Sequence, residues 1–229
     1  MFGVAGDGLE RFVTAAAAEV ATAAPGVMLH GGILSAYEAG VERLEAVPGV
    51  ERVATGETTD GRATVRLYRT DWETFRANPQ LAEEVFGPAS LIVTLPDGAG
   101  AVAAARHLAG QLTATLHATE AELMEHPELL AALESRAGRL LVNGFPTGVE
   151  VGHAMVHGGP YPATTDSRTT SVGTRAIERF LRPVCHPGLP GCRPAEAAAR
   201  GQSPRPAPAR GRGHSGLRTT SSSPAWASR

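Results

Sequence analysis

The sequence predicts an α/β protein in which a layered, largely parallel sheet is flanked by helices. Short apolar segments alternate with longer segments in which apolar residues recur at helical spacing, a pattern typical of parallel sheets with helical crossovers. Gly and Pro residues mark the ends of most of these segments. Hydrophobic residues make up 42% of the 229 residues and charged residues 19%, so the chain has enough apolar surface for a packed core.

Helices are predicted where a capping residue precedes a helical apolar pattern. Asp7 is the predicted N-cap of a helix over 7–23. Thr119 is the predicted N-cap of a long helix over 119–136, and Glu122, three residues later, would complete a capping box. The remaining predicted helices cover residues 34–46, 78–84, 98–109 and 171–183.

Strands are predicted from alternating or continuous apolar runs. Residues 89–95, ASLIVTL, follow a Gly-Pro break and are the clearest candidate for a buried strand. Residues 144–170 are rich in Gly, Pro and Thr without periodicity, and a loop of this length is typically either functional or disordered. The remaining predicted strands cover residues 62–69, 111–117 and 139–143.

The composition changes after Cys185. Residues 186–229 contain seven Arg and one acidic residue, whereas residues 1–185 contain 14 Arg and 22 acidic residues. The tail has almost no large apolar side chains to bury, so we expect one folded domain over 1–185 and a disordered tail over 186–229. Phosphate binding by the tail is the alternative, but Trp226 is its only aromatic residue, so we expect no nucleic-acid partner.

The sequence contains no signal for export or for membrane insertion. No apolar run reaches the roughly 20 residues that cross a bilayer, and no basic stretch precedes an apolar core at the N-terminus. Cys185 and Cys192 are too few for a disulfide framework. These observations predict a cytoplasmic protein without a membrane partner.

His and Cys residues give two weak candidates for a metal site. His153 and His157 would share a helix face, but the surrounding glycines argue against a helix there. Cys185, His186 and Cys192 lack a fourth ligand and suitable spacing. We therefore expect no metal, and structural roles for these histidines.

Glycines near the N-terminus give a weak candidate for a phosphate loop. The pattern Gly3-x-x-Gly6-x-Gly8 follows no predicted strand and lacks the spacing of a dinucleotide fingerprint. We interpret it as a flexible start of the first helix. No G-x-S-x-G motif is present, so nothing indicates a serine hydrolase.

Glu84 and Phe86 are the strongest candidates for a binding site. They lie in EVFGP, residues 84–88, between a short predicted helix and the predicted strand 89–95. A sharp turn at Gly87-Pro88 would fix both side chains where the strand begins, and α/β proteins place ligand groups at strand ends. The pattern alone leaves an ordinary solvated turn open.

The segment NPQLAEEVFGP, residues 78–88, closely matches the signature N-P-x-L-x-x-E-x-F-G-P and resembles the aldehyde dehydrogenase superfamily. Residues 139–151 and 157–185 resemble one branch, the α-ketoglutaric semialdehyde (2,5-dioxopentanoate) dehydrogenases, and the whole resemblance covers residues 2–185. It implies an aldehyde dehydrogenase catalytic-domain fold, truncated here. It also implies NAD or NADP as cofactor, a small aldehyde as substrate and a homo-oligomeric parent enzyme.

The resemblance implies roles for five residues. The family glutamate that matches Glu84 hydrogen-bonds the hydroxyls of the nicotinamide ribose, and the phenylalanine that matches Phe86 packs beside the nicotinamide ring. The loop after the strand 139–143 helps to wall the aldehyde pocket. The candidates on the substrate side are therefore Phe145, Pro146 and Thr147.

The resemblance also implies that catalytic residues are absent from this chain. The family's nucleophilic cysteine lies in a G-Q-x-C-type segment just before the residues that match position 2, and its general-base glutamate and Rossmann-type domain lie further upstream. Cys185 is no substitute, because it matches the family's C-terminal RPVC segment. Because the attack on the aldehyde requires a thiolate, we expect no dehydrogenase activity from this chain alone.

The tail departs from the family as well. In this branch RPVC is followed by a more apolar segment, and a shift of reading frame near Leu189 can restore such a segment. We hypothesise that residues 186–229 are a frameshift product. Loss of the family's C-terminal strand would weaken oligomerisation.

Two hypotheses about the function of the whole chain remain open at this point. The chain is either part of an aldehyde dehydrogenase or a non-catalytic interaction domain that uses the face on which a cofactor domain would dock. A subunit that completes a split enzyme would combine the two. An in-frame G-Q-x-C segment upstream of Met1 would favour the enzyme.

Overall fold

The computed structural model describes residues 1–146, 148–185 and 187–188. The chain divides into a first unit, Met1–Arg182, and a second unit, Pro183–Arg229. The fold described below is that of the first unit. Nearly all of the predicted tail, 186–229, lies outside the described residues.

A four-stranded sheet forms the centre of the first unit. Its strands are β1 (Phe2–Val4), β2 (Glu51–Thr55), β3 (Arg66–Asp71) and β4 (Ala89–Leu95). They lie in the order β1-β4-β3-β2, in which β1, β4 and β3 run parallel and β2 pairs antiparallel with β3. The predicted α/β class with a largely parallel sheet is confirmed.

Helices connect the strands and cover both faces of this sheet. Within the described residues there are two 3₁₀ helices, Pro79–Ala82 and Thr174–Phe180, and six α-helices. The α-helices are α1 (Asp7–Ala21), α2 (Gly31–Glu45), α3 (Trp72–Ala77), α4 (Gly98–His107), α5 (Glu120–Glu125) and α6 (Pro127–Glu134). No helix among the described residues is both long enough and apolar enough to cross a bilayer.

Alternating side chains of the central strands divide the core into two layers. Leu67 and Ile92 pack with residues of α1, whereas Tyr68 and Val93, one position further along each strand, pack with residues of α2. Successive side chains of a strand point to opposite faces, so this division follows from the period of two in β3 and β4. All four side chains are buried because helices cover both faces.

A second, two-stranded sheet follows further along the chain. It consists of the parallel strands β5 (Ala114–Leu116) and β6 (Leu140–Val142). Its apolar side chains pack on a small core formed by α4 and α6, with Ala105, Ala132 and Leu133 buried at its centre. Because β5 and β6 run parallel, the loops that follow them leave the sheet at the same edge.

The predicted helix over 119–136 is wrong in one respect, because it is interrupted at Pro127. Helix α5 ends at Glu125 and α6 begins at Pro127, since proline has no backbone N–H and disfavours a helical conformation in the residue before it. The capping box of Thr119 and Glu122 is confirmed.

The start of α1 also differs from the prediction. Asp7 is the first helical residue, and Gly6 occupies the N-cap with φ of 150° and no capping side chain. Gly3 lies in β1, so the N-terminal glycine pattern begins within a strand, where the sequence predicted none. The strand is only three residues long and carries no clear alternation, so its pattern could not reveal it.

Several other boundaries were misplaced or missed. The predicted helices 78–84 and 171–183 are the two 3₁₀ helices, and the sequence did not indicate β1, β2 or α3. The strand predicted over 62–69 covers Arg66–Asp71. By contrast, β4 spans the predicted residues 89–95, and no regular helix or strand occurs among the described residues of 144–170.

Candidate functional site

The EVFGP segment, residues 84–88, links the 3₁₀ helix Pro79–Ala82 to the amino end of β4. Its side chains alternate between solvent and protein. Glu84 is exposed and Phe86 is 64% exposed, whereas Val85 between them is partly buried against the main core. A carboxylate and an aromatic ring are therefore presented to solvent two residues apart.

Tight contacts with α2 fix the distance between the EVFGP segment and this helix. A Cβ on Gly87 would lie 2.2 Å from Cδ2 of Tyr37, so the Gly87 backbone rests on that ring. Val85 lies against Gly40, where a Cβ would be 2.9 Å from Cγ1 of Val85. The Pro88 carbonyl accepts a hydrogen bond from the backbone N–H of Arg66 (2.9 Å), which ties the segment to β3.

The residues that precede the EVFGP segment have structural roles. Asn78 Nδ2 donates to the Thr74 carbonyl (2.7 Å), and the Asn78 carbonyl accepts from the Leu81 N–H (2.9 Å). Pro79 occupies the first turn of the 3₁₀ helix, and Leu81 is buried in the main core. These contacts fix the direction in which the chain enters the EVFGP segment.

The second candidate region follows β6, at the edge where the loops after β5 and β6 emerge together. Phe145 is 72% exposed, and its ring lies 5.2 Å, centroid to centroid, from the ring of His117, which follows β5. Pro146 is exposed, and Thr147 lies outside the described residues. The sequence did not indicate His117, because its contact with Phe145 joins two loops that are distant in sequence.

An ion pair lies beside Tyr37, the residue on which the Gly87 backbone rests. Arg66 pairs with Glu38 (2.9 Å), and its guanidinium lies 5.6 Å from the centroid of the Tyr37 ring. Burial raises the pKa of the Tyr37 phenol, which is therefore neutral and donates its proton to the Thr64 carbonyl at 2.5 Å. Tyr37 thus combines apolar contact with the EVFGP segment and a buried hydrogen bond.

The His and Cys candidates do not form a metal site in the described part of the chain. No group of three His, Cys, Asp or Glu side chains comes together among the described residues. His153 is not in a helix, and its Nδ1 lies 3.2 Å from Oγ1 of Thr174. Cys185 is an exposed free thiol, while His186 and Cys192 lie outside the described residues.

Two curated relatives match most of the chain. It is 47% identical over 189 residues to an alpha-ketoglutaric semialdehyde dehydrogenase of Acinetobacter baylyi. It is 50% identical over 187 residues to alpha-ketoglutaric semialdehyde dehydrogenase 2 of Azospirillum brasilense. Each match covers 81% of this chain but 36% of the relative, so the chain spans about a third of the length of these proteins. No family profile matches the chain.

Solved structures have the same fold. The chain resembles the Delta-pyrroline-5-carboxylate dehydrogenase of Mycobacterium tuberculosis bound with NAD, with a TM-score of 0.60, 17% identity and coverage of 81% of this chain and 36% of that one. It resembles the betaine aldehyde dehydrogenase of Staphylococcus aureus with a TM-score of 0.60, 13% identity and coverage of 79% and 37%. In sequence the chain is thus similar to about a third of an aldehyde dehydrogenase, and it has the fold of the matching part of such enzymes.

Proposed function

We propose that this chain supplies the nicotinamide-contacting and aldehyde-contacting parts of an NAD(P)-dependent aldehyde dehydrogenase. Its substrate would be a small aldehyde such as α-ketoglutaric semialdehyde (2,5-dioxopentanoate), oxidised to the carboxylate. The observation that carries the proposal is the outward presentation of Glu84 and Phe86 from a rigidly anchored segment. The identity of 47–50% to two dehydrogenases of this semialdehyde supports the choice of substrate.

Glu84 and Phe86 fit the ribose and the nicotinamide ring, respectively. The exposed Glu84 carboxylate can accept hydrogen bonds from both hydroxyls of a ribose, and charge-assisted bonds of this kind are stronger than neutral ones. The exposed Phe86 ring offers an apolar face to a flat heterocycle. The two electrons removed from the aldehyde would pass to the bound NAD or NADP.

The register of β1 supports the position proposed for a nucleophile. Phe2 pairs with Val93 in parallel register, and the ammonium group of Met1 donates to the Leu91 carbonyl (2.8 Å). Residues that precede Met1 in an extended conformation would continue beside β4 by about 3.3 Å per residue, towards its amino end. A cysteine a few residues before Met1 would thus approach the edge at which Glu84 and Phe86 are exposed.

Phe145, Pro146 and Thr147 are proposed to wall the aldehyde side. The exposed ring of Phe145 is supported by His117, so it offers a fixed apolar surface for the methylene groups of a short aldehyde. His117 can also donate a hydrogen bond to a carboxylate on the substrate. This pairing of an apolar ring with a polar donor suits a short aldehyde acid.

Covalent catalysis needs a nucleophile, which the family places before the residues that match position 2. A thiolate would attack the aldehyde carbon, and without that step rates fall by several orders of magnitude. We therefore expect a polypeptide of residues 1–229 alone to oxidise no aldehyde. Activity should appear when a second polypeptide supplies the thiolate, the general base and the dinucleotide domain.

Complementation tests this function directly. The chain would be co-expressed with the segment of the Azospirillum brasilense relative that precedes the matched region, and reduction of NAD or NADP would be followed with 2,5-dioxopentanoate. Activity should require both polypeptides and should disappear when the cysteine of the added segment is replaced by Ala. A stable complex without activity would instead favour the non-catalytic interaction domain.

A further inference from the structure

We propose that α2 is the positioning element of the cofactor site, with Tyr37 and Gly40 as positioning residues beneath the EVFGP segment. The inference rests on the proposed function of Glu84 and Phe86 and adds the residues that set their direction. Neither Tyr37 nor Gly40 would touch the cofactor. Both act through Val85 and Gly87, the residues of the segment that approach Gly40 and Tyr37.

Tyr37 is a rigid support for Gly87. Its side chain is fully buried, and its hydroxyl donates to the Thr64 carbonyl at 2.5 Å. The Arg66 guanidinium lies over the same ring. A ring held at its hydroxyl and over its face cannot turn aside, so the Gly87 backbone can approach only because Gly87 lacks a Cβ.

Gly40 provides the second support, three residues further along α2. Residues three apart on a helix lie on one face, so Tyr37 and Gly40 together form a single surface. A methyl group at Gly40 would lie 2.9 Å from Cγ1 and 3.5 Å from Cβ of Val85. Ordinary carbon contacts begin at about 3.5 Å, so the methyl would push Val85 outward.

This displacement would act on Glu84 and Phe86 in particular. They are the immediate neighbours of Val85 on both sides, and both are exposed. A backbone shift at Val85 therefore moves the carboxylate and the ring together. Hydrogen bonds weaken steeply with distance and angle, so a shift of a few tenths of an ångström lowers affinity for a ribose.

The test compares alanine substitutions at two glycines of the same helix. Gly40→Ala introduces the contact with Val85, whereas Gly31→Ala meets no atom within 4 Å. Both changes replace glycine by alanine in α2, so Gly31→Ala is the matched control. Gly40→Ala combined with Val85→Ala removes the clash and serves as the rescue, with Val85→Ala alone completing a double-mutant cycle.

The first readout is binding of reduced nicotinamide mononucleotide to the full 229-residue chain, followed by its fluorescence. This probe contains only the ribose and the ring that Glu84 and Phe86 are proposed to contact. Gly40→Ala should weaken its binding about tenfold, since misplacement of contacting groups is costly. Gly31→Ala should leave the binding unchanged, and Val85→Ala in the Gly40→Ala background should restore most of it.

The second readout needs no ligand. Amide hydrogen exchange of a peptide covering residues 83–87 should rise in Gly40→Ala and in Tyr37→Phe, which lacks the hydroxyl that holds the ring. Gly31→Ala should exchange like the unmodified chain. Equal exchange in all variants would overturn the positioning role, whether or not the probe binds.

The two proposals fail in different ways. If the unmodified chain does not bind the probe, the cofactor-binding function of Glu84 and Phe86 fails, and the positioning role toward a cofactor falls with it. If the unmodified chain binds but Gly40→Ala binds equally well, only the positioning inference fails. Weaker binding in Gly40→Ala that Val85→Ala does not rescue would also contradict it.

Discussion

The side chain of Asn143 pairs with both backbone groups of Ala118. Its Nδ2 donates to the Ala118 carbonyl (2.9 Å), and its Oδ1 accepts from the Ala118 N–H (3.0 Å). These two hydrogen bonds continue the pairing of β5 and β6 beyond its last residue pair, close to the contact between His117 and Phe145. Asn143 has φ of 52°, a left-handed conformation that asparagine tolerates better than most residues.

Asn143→Ala should destabilise the first unit by about 1–2 kcal/mol, because two hydrogen bonds are lost and alanine is strained at this φ. Asn143→Gly loses the same bonds without the strain, so its stability should lie between the two. Urea unfolding of the three proteins measures the order. An alanine variant as stable as the unmodified protein would show that the hydrogen bonds between Asn143 and Ala118 contribute nothing to the free energy of unfolding.

Gly138→Ala should destabilise the first unit strongly. A Cβ on Gly138 would lie 1.9 Å from the Gly158 carbonyl oxygen, a backbone atom that cannot rotate away. Overpacking of this kind costs about 1–3 kcal/mol or more. Gly152→Ala is the control, because no atom lies within 4 Å of its Cβ, and its effect should stay within about 0.5 kcal/mol. Equal melting temperatures for the two variants would contradict the close approach.

The ion pair of Glu10 and Arg69 should make stability depend on pH. Arg69 donates to both carboxylate oxygens (2.6 and 3.0 Å), and this hydrogen bonding holds the pKa of Glu10 below its usual 4.5. The pair therefore stabilises the fold above about pH 4.5, and this contribution is lost as the pH falls through the lowered pKa.

Glu10→Gln tests this dependence. The stability difference between the unmodified protein and Glu10→Gln should be constant near neutral pH and should vanish in acid. Glu19→Gln, on the same helix, is the control, since Glu19 has no arginine partner among the described residues. A difference that persists unchanged well below pH 4.5 would contradict the ion pair.

Phe145→Ala should raise the KM for the aldehyde in the complemented enzyme while leaving the KM for the cofactor unchanged. The ring is proposed to contact the substrate, and its loss removes apolar surface worth about a tenfold change in affinity. Phe145→Leu should lose less, because it keeps most of that surface. A change in the cofactor KM of the same size would place Phe145 outside the aldehyde pocket.

The sequence predicted the central strand β4 correctly because this strand is encoded locally. The apolar run of β4 after Gly87-Pro88 sets its boundaries without help from the rest of the chain. The strand β2, ERVAT, was missed because four of its five residues are charged, small or polar, and three of them are exposed. Its pairing with β3 supplies the stabilisation that its own composition lacks.

The supports of the candidate site could not be predicted. Tyr37 lies under Gly87 and His117 lies beside Phe145, and each pair is joined only by the tertiary fold. A tyrosine in an amphipathic helix predicts burial but not the partner it contacts. The interruption of the helix 119–136, by contrast, was visible in the sequence, because Pro127 disfavours a helical residue before it.

The most direct test of the proposed cofactor site compares two adjacent carboxylates in the enzyme reconstituted by complementation. Glu83 and Glu84 are both exposed, but only Glu84 is proposed to accept hydrogen bonds from the nicotinamide ribose. The measurement is the KM for the cofactor in Glu84→Gln and in Glu83→Gln. We expect a rise of about tenfold for Glu84→Gln, from the loss of charge-assisted hydrogen bonds, and no change for Glu83→Gln. Equal values for both variants would contradict the assignment of the cofactor site to the EVFGP segment.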